Sequence, residues 1–353
     1  MRAALVLALL LVGGFSGLTR NEATSPLAIT LPSNVDAAHS NDISVMTYNV
    51  HGLPWPIATG RPKALAEIAR HLRVLHTQGI APRVALLQEA FTSDAQAIAR
   101  TSGYRYAAFG PGDDGATTAP LPVGITPASL RAGATWWKGE GLGKWTGSGL
   151  AILSDYPIVR VRRMAFSTDA CAGYDCLAAK GAMLVELALP DGDHIEIATS
   201  HLNSRHASGV SDERANRAWL VQSAELRDFI ARHRNPALPL VLGGDFNVGG
   251  DLVRQLGFAD MAQSLDRNAA DGLRALAARG AVFDDDTAHA LDHGKDWELI
   301  LTGAGMSLTP RRAWVPFGSQ AGPPLSDHFG YAIGYAGQAR RIAAAASSVR
   351  NHA

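Results

Sequence analysis

Surplus charge, cysteine and long apolar stretches are all scarce in this chain of 353 residues. Lys plus Arg equals Asp plus Glu at 32 each, a formal net charge of zero. Strong nonspecific binding to nucleic acid needs an excess of basic residues to neutralise phosphates, so the balance argues against it. The two cysteines, Cys171 and Cys176, lie in "CAGYDC". No second Cys or His pair accompanies them at zinc-site spacing, which argues against a zinc module. The one extended apolar run opens the chain, in "MRAALVLALLLVGGFSG". It is short for a spanning helix and reads as a secretory signal over residues 1–16. The expectation is a secreted or periplasmic protein, in which the two cysteines either close a small disulfide loop or stand as free thiols. No repeat and no low-complexity tract is present. With 47% hydrophobic and 18% charged residues the chain can bury a substantial core.

Residues 17–40 are polar, contain Pro26 and Pro32, and read as a linker. From "ISVMTYNV" onward, short apolar runs read as strands: "VALLQEA", "SGLAILS", "AMLVELAL", "HIEIATS", "LPLVLGGDF", "WELILTG" and "HFGYAIGY". "RPKALAEIARHLRVLHTQG" reads as a helix, with Pro62 in its first turn and Gly79 as its stop. "SDERANRAWLVQSAELRDFIARHR" is a second helix with Ser211 as N-cap, and "AADGLRALAARG" a shorter third. Strands outnumber helices and some follow one another directly. Two packed sheets with helices outside fit better than an alternating parallel sheet. One α+β domain is expected over 41–336, with a tail over 337–353.

Polar side chains recur where these apolar runs end. Asn49 closes "VMTYN" and Glu89 closes "VALLQE". His201 and Asn203 follow "HIEIATS", while Asp245 and Asn247 stand in "GGDFNVGG". Asp296 precedes "WELIL", and Asp327 with His328 opens "HFGYAIGY". A single such residue is ordinary turn chemistry. Six strand ends carrying carboxylates, amides and histidines point to one pocket, with residue types suited to metal-assisted phosphoester cleavage.

"MTYNVHGLP", "LLQEAF", "GSGLAILSDYPI", "TSHLNS", "GGDFNV" and "LSDHFGYAI" occur in the order expected of the endonuclease/exonuclease/phosphatase superfamily, which the chain resembles from about Ile43 to Ile333. That resemblance implies a four-layer αββα sandwich with two mostly antiparallel sheets, DNase I-like. Within the superfamily the chain is most similar to the neutral sphingomyelinases. "NVHGLP" resembles their opening motif, and "DCLAAKGAMLVEL" their Asp-x-x-x-x-Lys-Gly segment, which makes Asp175 and Lys180 a matched regulatory pair.

The resemblance, together with the chemistry of the residues, assigns roles. Glu89 and Asn49 hold Mg2+, with Mn2+ or Co2+ able to replace it, and Asp327 reaches the ion through water. His328 is the general base and Asp296 fixes its tautomer. Asp245 orients the attacking water, Asn247 donates to a phosphate oxygen, and His201 stands on the leaving-group side. One departure is "GKDWELI", where Trp297 replaces the tyrosine common among relatives. The "DDD" at 284–286 reads as a solvated loop. The implied activity is sphingomyelinase C-like hydrolysis by a monomer at a membrane surface. A secreted nuclease or an inositol-phospholipid phosphatase is the alternative, and nucleic acid is the less favoured partner. In "ATWWKGEGLGKW", Trp136, Trp137 and Trp145 are candidates for contact with the lipid interface.

Overall fold

A computed structural model describes residues 29–30, 43–112, 119–319 and 322–339. The leader over 1–16, most of the 17–40 linker and the tail from 340 onward lie outside those residues. One sheet has seven strands in the order β1-β4-β5-β3-β2-β13-β12. These are β1 (Ile29–Thr30), β2 (Ile43–Asn49), β3 (Val84–Gln88), β4 (Tyr106–Phe109), β5 (Ala151–Ser154), β12 (Met306–Phe317) and β13 (Gly330–Ala339). The other has six in the order β10-β11-β9-β8-β7-β6. They are β6 (Ile158–Ala165), β7 (Gly181–Ala188), β8 (His194–His201), β9 (Leu240–Asp245), β10 (Ala270–Asp271) and β11 (Asp296–Leu301).

Strand alternation divides the core into three. Val45, Val84, Leu86, Ile197, Val241 and Ile333 interdigitate between the two sheets. Met46, Tyr48, Ala85 and Leu87 point the other way, against α1 (Arg61–Thr77) and α2 (Ser93–Thr101). Leu184, Ala198, Leu240 and Leu242 face α4 (Asp212–His233) and α5 (Leu252–Leu265), with the short α3 (Pro127–Arg131) beyond. Helix, sheet, sheet and helix are therefore stacked as the four expected layers, and each fully buried Val, Leu or Ile contributes roughly 1.5–3 kcal/mol.

Among the described residues every strand pairing is antiparallel except two, β2 with β3 and β8 with β9, one near the middle of each sheet. These parallel pairs aim their C-terminal ends at the same edge of the sandwich, where the site lies.

Several elements differ from the sequence reading. Strands β1, which lies within the segment read as a linker, β4, β6 and β12 and helices α2, α3 and α5 are additional. The helix read over 269–280 is α6 (Gly272–Ala277), capped by Asp271 and preceded by β10. Ser211 occupies the N-cap of α4 without a side-chain capping bond. The "DDD" is not a solvated loop. Asp284 caps α7 (Asp285–His293), and the buried Asp286 accepts from Ser319 Oγ at 2.6 Å. Strand β13 runs to Ala339, past the expected start of the tail. Cys171 and Cys176 are disulfide-bonded.

Candidate active site

Register explains why distant residues meet. Val45, Ile197, Val241 and Ile300 face the space between the sheets. Counting by twos from each reaches Asn49, His201, Asp245 and Asp296, so all four side chains emerge where the inter-sheet core ends. Asp245 pairs with His201 on the parallel neighbour and with Asp296 on the antiparallel one. Beneath them, Gln88 spans the gap between sheets, accepting from Thr47 Oγ1 at 3.4 Å and donating to Thr199 Oγ1 at 3.2 Å. Asn49 Nδ2 closes the seam above, donating to Glu89 Oε1 at 3.0 Å and to Asp245 Oδ2 at 3.1 Å.

Glu89 breaks the alternation. Leu87 faces the helices, and a regular strand would send Glu89 the same way. Its backbone instead turns left-handed at φ 57°, which brings the carboxylate into the seam. His51 (φ 49°) and Asn247 (φ 51°) are the other non-glycine residues with positive φ among the described residues. All three lie within two residues of the strand ends that build the site. Such conformations cost about 1 kcal/mol or more each, and concentrate where function requires a special geometry. Burial pushes the Glu89 carboxyl up to about 7, against the opposing pull of the Asn49 hydrogen bond and of Lys180.

His328, just before β13, joins the two sheets. Its Nδ1 lies 2.7 Å from Asp296 Oδ2, and its Nε2 lies 3.7 Å from Asp245 Oδ2. Burial alone would depress its proton affinity. The carboxylates of Asp296 and Asp245 outweigh burial and push it up to about 10. For Asp245 burial works upward, yet His328 and His201 hold the group below its ordinary value. His201 behaves oppositely to His328. Burial, aided by Lys180, lowers it to about 4. Its Nε2 lies 3.6 Å from Asp245 Oδ2 and 3.2 Å from Lys180 Nζ.

Asp175 and Lys180 form an ion pair at 3.0 Å, and Lys180 Nζ also donates to Leu202 O at 3.1 Å. The disulfide closes the loop that carries Asp175. Asn247 is placed beside Asp245, with its amide donating to Leu202 O at 3.0 Å. Asp327 stands apart from the other carboxylates. It pairs with His51 Nδ1 at 3.2 Å and its side chain is 63% exposed. Trp136, Trp137 and Trp145 are 60%, 50% and 50% exposed. Their loop is held by Glu140, which accepts from Thr135 N and Gly173 N and pairs with Arg214.

Sequence reasoning missed four contributors. Arg61 donates to the carbonyls of Val50, His51 and Leu325, tying the loop after β2 to the one before His328. Arg254, fully buried, donates to the carbonyls of Asn203 and Asn247, both at 2.8 Å, and so joins the loops after β8 and β9. His289 and His293 line a cavity next to His328. Their i, i+4 spacing on one helix was the available signal, hidden by reading the acidic triplet before them as a loop.

An oxygen-rich cluster of this kind fits a hard cation. Glu89 and Asp245 both lean on one amide group of Asn49, and the buried Asp296 Oδ1 has no hydrogen-bond partner. Asp245, Asp296 and His328 also present ligand atoms within 4.8 Å of one another. The close Asp296–His328 hydrogen bond already occupies two of those groups, while Glu89, whose carboxylate meets Asn49 Nδ2, is a further oxygen donor in the seam.

Comparison with solved structures gives the same architecture. Sphingomyelinase C from Streptomyces griseocarneus is 19% identical with a TM-score of 0.52, matching 83% of this chain and 99% of its own. A beta toxin mutant from Staphylococcus aureus with bound magnesium ions is 16% identical at 0.52, with 83% and 99% covered. D. rerio TDP2 complexed with single strand DNA product is 15% identical at 0.54, with 84% and 100% covered. No curated relative matches the chain in sequence. The family model described as Endonuclease/Exonuclease/phosphatase matches residues 46–328. With that match spanning most of the chain and both sheets contributing to one carboxylate–histidine cluster, the protein belongs to the endonuclease/exonuclease/phosphatase family and is a metal-dependent phosphoric diester hydrolase.

Proposed function

We propose that the protein is a secreted or periplasmic sphingomyelinase C-like enzyme that hydrolyses sphingomyelin to ceramide and phosphocholine at a membrane surface. The observation that carries this reading is the contact of Lys180, within its ion pair with Asp175, to His201. That pair belongs to the segment whose motif resembles the neutral sphingomyelinases, and its contact with the site gives it a function that a plain nuclease does not need. The exposed tryptophans offer a surface suited to the lipid headgroup region.

Mg2+ seated on Glu89 and Asn49 would offset the charge that gathers on a nonbridging phosphate oxygen. The remaining steps belong to the protein's own groups. His328 Nε2, in its neutral form, accepts a proton from the attacking water, and Asp296 holds Nδ1 so that the free nitrogen faces Asp245. Asp245 orients the water. Asn247 donates to a phosphate oxygen once its amide leaves the Leu202 carbonyl, and His201 serves the departing alkoxide on the other side. Arg61 and Arg254 keep the loops that carry these groups from drifting.

The test is a panel assay with Mg2+ on sphingomyelin, phosphatidylcholine, plasmid DNA and inositol phospholipids, with His328→Ala as control. Release of phosphocholine from sphingomyelin, abolished by the substitution, is the expected result. Cleavage of DNA alone would make the protein a nuclease. Phosphate release from inositol lipids alone would make it a phosphatase.

A further inference from the structure

A cavity of about 210 Å³ opens between α7 and the loop that carries Asp327 and His328. His289 and His293 form one wall, with ring centres 5.5 Å apart and planes inclined by 18°. Phe329 meets His289 at 4.8 Å, and His293 stands edge-on to His328 at 6.2 Å. Asp296 and Asp327 add two carboxylates, which outnumber the one wall group held in its cationic form, His328, and no lysine or arginine is among the lining residues. Burial lowers the His293 pKa, with Lys295 and His328 reinforcing it, so its ring offers a neutral face at pH 7.

We propose that this cavity is a subsite for a small organic cation, such as a quaternary ammonium, borne on the ester group that stays on phosphorus. The inference rests on the hydrolytic roles given above and extends them. His328 activates water and His201 serves the leaving alkoxide, so a pocket walled by His328 lies on the side away from the departing group. The attacking water takes the apical position there, and the retained substituent, equatorial during in-line attack, is the substrate group that can turn into the cavity. Its volume suits a head group of several heavy atoms and is too small for an acyl chain. Carboxylates beside ring faces favour a bulky, weakly hydrated cation over a neutral or anionic group. Neither α7 histidine is required for the proposed chemistry, which leaves both free to set specificity.

The test uses two soluble substrates that release the same leaving group, p-nitrophenyl phosphocholine and its uncharged isostere p-nitrophenyl 3,3-dimethylbutyl phosphate. The intact protein with Mg2+ is expected to show a KM about tenfold lower for the cationic ester. His289→Lys should erase that difference while leaving kcat for the neutral ester within about twofold. Phe329→Leu, which adds no charge, should reduce the preference by a few fold. Equal KM values in the unmodified protein, or a preference that survives both substitutions, would overturn the subsite. The lipid assignment fails separately. Preference for the cationic ester without turnover of sphingomyelin keeps the subsite and removes that substrate. Turnover of sphingomyelin without the preference does the reverse.

Discussion

Asp245 and Asp296 are directly opposed across the β9–β11 pair, and His328 spans them, one ring nitrogen toward each. The imidazole is fixed by two strands of one sheet although its own loop leads into the other.

Asp296→Asn keeps the shape of this arrangement and removes the charge that orients the ring. The kcat on a soluble phosphodiester should fall by about 10²-fold or more, with melting temperature nearly unchanged. Activity within twofold of the unmodified protein would reject the tautomer-fixing role of Asp296.

Glu89→Gln tests the seat of the ion. The amide retains an acceptor for Asn49 but lacks the carboxylate charge. The heat of Mg2+ binding in calorimetry should disappear, and kcat should drop by about 10²-fold or more. Undiminished Mg2+ binding would move the ion to the Asp245, Asp296 and His328 cluster.

Arg254→Lys addresses a group that touches no substrate. Lysine cannot serve the Asn203 and Asn247 carbonyls and the Asn216 side chain together. A buried carbonyl left without a donor costs about 1–3 kcal/mol, so the melting temperature should fall by several degrees. Well below that temperature, kcat should still be lower by about tenfold. A loss of stability with kcat intact would limit Arg254 to a structural role.

Glu298 supplies the pH dependence. It is fully buried between the sheets, accepts from Tyr335 Oη at 2.7 Å, and burial raises its pKa well above the ordinary glutamate value. The folded chain then binds more protons than the unfolded one above the ordinary value near 4.5. This group's contribution to stability therefore falls as pH rises from there toward the raised value. Glu298→Gln should raise the melting temperature at pH 8 by about 2 °C or more and have little effect at pH 4. An equal shift at both pH values would contradict this account.

Replacing Trp136 and Trp137 together by Ala removes two exposed rings from the loop that Glu140 anchors. Hydrolysis of lipid in vesicles should fall by about tenfold, with a soluble phosphodiester unaffected. Equal loss on both substrates would place the rings in the catalytic framework.

The central strands were legible because they are buried on both faces and read as unbroken apolar runs, as in "VALLQ" and "LVLGGD". Edge strands were not. β6 alternates arginines with apolar residues, and β12 contains Pro310 at an irregular register, both of which resemble loops in a single sequence. The chemistry at the strand ends was visible as residue types. Its aim was not, because the inward turn of Glu89 depends on a backbone angle that glutamate rarely adopts. Helix α7 was obscured by its own capping aspartates, and with it the two histidines that wall the cavity.

The bond from Asn49 to Asp245 joins halves of the chain separated by 196 positions. The slab built on β2, β3 and β13 carries Asn49, Glu89 and His328, but without the other sheet the imidazole has neither Asp296 nor Asp245 to hold it. A chain whose second sheet has formed without docking has Asp245 and Asp296 but nowhere to seat the ion. Hydrolytic competence therefore arises in a single step, when the two slabs close on each other. The catalytic geometry is thus a property of the docked pair, which neither slab holds alone.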